Sequence, residues 1–126
     1  MKQNIIVYTE NIDFKRFNAK EIYVLLSIFK FFKNEKYPLL KNTPSTYQDA
    51  YRNQTLRFTY ESLNHIEPNR SRLRIMIDKF TEYRILKKIK SCTYLINPLY
   101  AEYGKKDQGS FMDQINNKVF FADYHM

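Results

Sequence analysis

Only two glycines occur in the 126-residue sequence, Gly104 and Gly109, and both come late in the chain. Glycine is the residue that supplies left-handed backbone and close approach of the main chain to a ligand. Their absence from the first 103 residues excludes a glycine-rich phosphate loop and a dinucleotide-binding fingerprint. It also excludes a turn-dense β-sandwich of the usual kind. At 15.4 kDa the chain is one domain, with room for an appendage at most. Its 11 Tyr and 10 Phe can fill a sizeable core without Trp. The single cysteine, Cys92, excludes an intramolecular disulfide and a cysteine-based metal cluster, and suggests a reducing compartment. No run reaches the roughly 18 apolar residues of a membrane span. The N-terminus has one Lys and a short apolar patch that stops at Glu10, unlike a signal peptide. The expectation is a soluble, cytoplasmic protein with no membrane partner.

Lys and Arg number 21 against 13 Asp and Glu, a net charge of +8. The excess is local. Residues 69–90 carry eight basic side chains (Arg70, Arg72, Arg74, Lys79, Arg84, Lys87, Lys88, Lys90) and only two acidic ones, Asp78 and Glu82. Acidic residues are too few there to neutralise the run through i,i+4 pairs, so it reads as an anion-binding surface rather than a self-neutralised helix face.

Residues 4–8 are β-branched and aromatic and predict a short strand. Asn18, with Glu21 three residues later, predicts a capping box that opens a helix over about 19–33. That helix is apolar on most sides, as expected for core or for an interface. Residues 34–57 are polar, carry Pro38 and Pro44, and read as a long connection with one helical turn around 47–52. Thr59 predicts a short helix through His65, closed by Pro68. Asn69 caps a second helix from Arg70 to Tyr83, in which Leu73, Met76, Ile77 and Phe80 form one apolar stripe. Two β-type runs around Ser91-Cys92 then read as a hairpin over about 85–97, with Lys87, Lys88 and Lys90 toward its tip and Pro98 at its end. Residues 104–118 read as a linker, and 119–124 as an apolar segment able to dock.

The order of two helices, a turn, a basic helix and a basic hairpin resembles a winged helix-turn-helix. Residues 58–98 are similar to the core of bacterial plasmid replication initiators of the RepL type. The matching residues are Asn69-Arg70-Ser71-Arg72 at the helix opening, the Leu73, Ile77 and Phe80 stripe, and the Ile85-Leu86 junction. They continue through Lys87-Lys88-Ile89-Lys90 and the ending Tyr94-Leu95-Ile96-Asn97-Pro98. Asn18-Ala19-Lys20-Glu21 fits the start of such domains. Relatives usually carry Gly before the wing and at its tip, where this chain has Arg84 and Ser91-Cys92. The resemblance implies a mainly α fold with a small β-hairpin wing (α+β), in one domain over residues 1–103. The helix-turn-helix would span about 59–83, and 104–126 would form a C-terminal extension.

The resemblance also implies binding to double-stranded DNA. Elementary chemistry points the same way. A major groove admits one helix, and Arg offers a bidentate fork to guanine N7 and O6. Arg70, Arg72 and Arg74 are therefore candidates for base or phosphate contact. Asn69 and Ser71 lie in the same opening turn, where Ser71 and free helix N–H groups can donate to phosphate. Lys87, Lys88 and Lys90 are point charges suited to the backbone. Lys15, Arg16 and Lys20 would add a flank. Tyr60, Tyr83 and Tyr94 are read as packed rather than stacked on bases. His65 and His125 lack metal-ligand spacing, and the acidic residues form no close pair. The expectation is therefore no enzyme, no catalytic residues, no metal, no cofactor and no small-molecule ligand. The role expected is replication initiation or transcriptional control in a plasmid or phage. The alternative is an interaction or assembly module with no DNA role. There the first helix, the 34–57 segment and the 119–124 segment would build a homodimer or an assembly contact.

Overall fold

The computed structural model describes residues 5–33 and 54–103. The turn predicted at 47–52, most of the 34–57 connection and the C-terminal extension lie outside the described residues. Among the described residues, two α-helices, α1 (Ala19–Ile28) and α2 (Arg70–Glu82), are combined with six short strands. The strands are β1 (Ile5–Val7), β2 (Phe32–Lys33), β3 (Thr55–Arg57), β4 (Leu86–Lys90), β5 (Thr93–Ile96) and β6 (Ala101–Tyr103). They form two antiparallel sheets, β1-β6 and β2-β3-β5-β4.

This corrects the expected mainly α winged helix-turn-helix: the fold is α+β with far more sheet. The hairpin of β4 and β5 is not a free two-stranded wing, because β5 lies between β3 and β4. All four residues of β5 are buried, as expected of an interior strand covered on both faces. Phe32, Leu56 and Tyr94 share one row across β2, β3 and β5, and all three join the main hydrophobic cluster. The helix expected over 59–65 is also corrected. It is a single 3-10 turn at Glu61–Leu63. Thr59 and Ser62 exchange backbone-to-side-chain hydrogen bonds at its start. The N–H groups of Ile66 and Glu67 both return to the Leu63 carbonyl, at 3.0 and 3.1 Å. Pro68 then has no N–H to extend a helix.

The two α-helices form where their caps and stripes predict. Asn18 Oδ1 accepts from Glu21 N and Glu21 Oε1 accepts from Asn18 N, both at 2.8 Å, completing the capping box. α1 ends earlier than predicted, at Ile28, and passes through a 3-10 turn at Phe29–Phe31 into β2. Val24, Leu25 and Ile28 are fully buried in the same core cluster as Leu73, Ile77 and Phe80. Phe17 wedges between Phe80 and Tyr83, with ring centroids 5.7 and 5.5 Å apart.

The end of α2 shows how the chain turns without glycine. The Ile85 N–H donates to the Phe80 carbonyl and the Arg84 N–H to the Thr81 carbonyl. That is the pairing of a Schellman cap, with buried Ile85 and Phe80 as its apolar contact. Its left-handed position is held by Arg84, with φ at 63°. Cys92, in the β4-β5 turn, takes φ at 61°. These are the two places where the resemblance leads one to expect glycine.

Gln54 joins the sheets. Its side-chain amide donates to the carbonyls of Ile96 and Ala101, and its oxygen accepts from Tyr103 N. Asn97 closes the junction behind α2 by donating from Nδ2 to the Arg84 carbonyl at 2.8 Å.

Candidate nucleic-acid interface

The opening of α2 is built by three residues that precede it. Asn69 Oδ1 accepts from Arg72 N at 3.0 Å, so its side chain is used as the helix cap. Glu67 is 3% exposed. It accepts from Asn69 N at 3.0 Å and from Lys20 Nζ, on α1, at 3.3 Å. The Asn69 N–H is the larger cause that holds the Glu67 carboxyl below its ordinary value, with Lys20 adding to it against the effect of burial. This carboxylate therefore ties the turn before α2 to α1.

From that anchored start, Arg70, Ser71, Arg72 and Arg74 all project as exposed residues. Arg70 lies over the ring of half-buried Tyr60, its guanidinium carbon 5.0 Å from the centroid. Such stacking holds the planar group in place and leaves its N–H edge available. The neighbouring Glu61 carboxyl is held below its ordinary value, first by its own backbone N–H, then by the Thr59 hydroxyl, and least by the charge of Arg70. On the hairpin, Lys88 and Lys90 are exposed, whereas Lys87 is half-buried and already engaged within the molecule. A bulge between Lys88 and Lys90 leaves Ile89 without a register partner. α2 contacts β4, the strand that follows it in the chain.

Three other basic residues are committed elsewhere, whereas Lys15, in the flank that the sequence offered, is exposed and in no ion pair among the described residues. Lys79 Nζ reaches both oxygens of Glu21, at 3.0 and 3.2 Å, and lies 5.1 Å from the Phe17 ring centre. Lys20 is paired with Glu67. Arg16 is paired with Asp13 and lies over Tyr83, in the flank that sequence alone offered as additional binding surface. Arg84 stands at the far end of α2, about 20 Å of helix from Arg70, with its charge acting on the half-buried Tyr100. Among the described residues, no ion pair engages Arg70, Arg72, Arg74, Lys88 or Lys90.

The eight predicted site residues thus separate. Arg70, Ser71, Arg72, Arg74, Lys88 and Lys90 are outward-facing, Asn69 is a cap, and Lys87 is engaged. Sequence reasoning missed Tyr60 as the platform of Arg70 and Glu67 as the anchor. The Glu67-Pro68-Asn69 run at a helix start was the available signal for the second. Ile75 was also passed over, although it falls off the apolar stripe and is 62% exposed. Among the described residues, no helix is long and apolar enough to cross a membrane. No protein family, curated protein or solved structure matches the chain.

Proposed function

We propose that the protein binds double-stranded DNA without catalysing a reaction, using the first two turns of α2 and the exposed lysines of β4. The observation that carries the reading is the set of five exposed cations, Arg70, Arg72, Arg74, Lys88 and Lys90, with no intramolecular ion pair among the described residues. Unpaired cations on two elements that touch suit a polyanion, because each one that meets a phosphate releases a condensed counterion. A helix also has the width of a major groove. A role in plasmid or phage replication initiation or in transcriptional control follows from the RepL-type resemblance of residues 58–98, and it stands within this proposal. The residues named act in binding, and the reading assigns them no proton transfer or nucleophile.

The test is duplex binding by the variant Arg70→Ala combined with Arg74→Ala. Both side chains are exposed, so the protein stays folded, its thermal melt lowered by no more than the Arg70–Tyr60 contact contributes, while duplex binding is lost. Unchanged binding by the double variant would remove α2 from the interface.

A further inference from the structure

α2 carries one apolar side chain that the core does not use. At 100° per residue, Leu73, Met76, Ile77 and Phe80 define the buried face of the helix. Ser71, Arg74, Ile75 and Asp78 lie opposite, at spacings of three, one and three. All four are exposed, and Ile75 is 62% exposed, more than Tyr23 at 58% or Leu26 at 41%. Isoleucine is not a residue that helix propensity would place on a solvent face, because its branched Cβ loses side-chain freedom there. A single exposed apolar residue means little alone. Here it is framed by Arg74 beside it, Ser71 one turn earlier, and Arg70 and Arg72 on either flank, none of them in an ion pair among the described residues.

That mixture matches the floor of a major groove. Guanine presents two acceptors there to an arginine fork, and thymine presents a C5-methyl group that an apolar side chain can cover. We infer that Ile75 is a specificity-determining residue that packs on a thymine methyl, next to a guanine read by Arg74. The inference rests on the DNA-binding reading and deepens it. Recognised DNA carries a guanine and a thymine within about two base pairs of each other, because adjacent helical residues reach bases only one or two steps of 3.4 Å apart. The acidic residues on the same side, Asp78 and then Glu82, repel phosphate. They limit insertion to the first half of α2.

The experiment selects bound sequences from a random duplex pool with the full chain, then replaces the selected thymine by deoxyuridine, which removes only the methyl. The parent protein should bind the uracil duplex about four-fold more weakly, the value of one buried carbon. Ile75→Ala should bind the two duplexes alike, and Ile75→Val should retain part of the preference. Equal binding of thymine and uracil by the parent protein overturns the inference while leaving DNA binding intact. So does selection of the same sequence by Ile75→Ala. If Ile75→Ala instead leaves DNA selection untouched and dissolves a self-associated form, Ile75 is a protein contact and the inference is overturned. Absence of any duplex binding overturns the DNA reading and this inference together.

Discussion

The salt dependence of duplex binding discriminates between a charge count taken from sequence and one taken from structure. Eight basic residues lie between 69 and 90, but Lys79 is bound to Glu21, Lys87 is engaged, and Arg84 stands at the other end of α2. Five cations remain for the interface. Each neutralised phosphate contributes about −0.9 to the slope of log K against log salt, so five give about −4.5. Between about 50 and 200 mM salt the affinity then falls roughly 500-fold. Eight contacts would give a slope near −7 and a fall of roughly 20,000-fold over the same range. The assay is fluorescence anisotropy on a labelled random-sequence duplex, titrated at four or more salt concentrations. Arg72→Ala alone should make the slope shallower by about 0.9. A slope near −7 would mean that Lys79, Lys87 and Arg84 reach phosphate as well. A slope near zero, or no binding at low salt, would refute the interface.

Three further outcomes follow from the fold. Arg84→Gly should stabilise the protein by about 0.5–1 kcal/mol in chemical denaturation, since a left-handed non-glycine costs about 1–2 kcal/mol and glycine returns part of that as chain entropy; a loss of stability would show that the Arg84 side chain contributes more than its backbone costs. Phe80→Ala removes a fully buried ring packed on Phe17 and should cost about 3–5 kcal/mol, read from the denaturation midpoint. Glu67 has its folded carboxyl below the ordinary 4.5, so it binds protons less readily folded than unfolded. Its contribution is therefore present above pH 4.5 and is lost as pH falls through and below that value. Glu67→Gln should flatten the acid limb of the stability profile below pH 4.5, and an identical limb in both proteins would remove Glu67 from it.

α2 was legible because three signals coincide at one place. Asn69 can cap, Pro68 stops what precedes, and the stripe of Leu73, Met76, Ile77 and Phe80 has helical period. The expected end at Tyr83 differs from the observed Glu82 by one residue. β4 and β5 were legible as strands for their β-branched and apolar runs. Their membership of a larger sheet was not, because β2 and β3 span only two and three residues. So short a strand has no measurable period and forms only because long-range partners supply its hydrogen bonds. The buried run Thr93–Ile96 carried the one hint, since a strand with no polar face belongs in a sheet interior.

Local chemistry by itself determined the helix starts, the apolar stripe of α2 and the concentration of positive charge in residues 69–90. Caps, periods and charge counts are properties of neighbours in the chain. Tertiary structure alone decided which of those charges are available. Lys79 meets Glu21 from 58 residues away and Lys20 meets Glu67 from 47 residues away, whereas Arg70 rests on Tyr60 with its charge unpaired among the described residues. Ion pairing depends on distance in space, and the tertiary fold sets those distances.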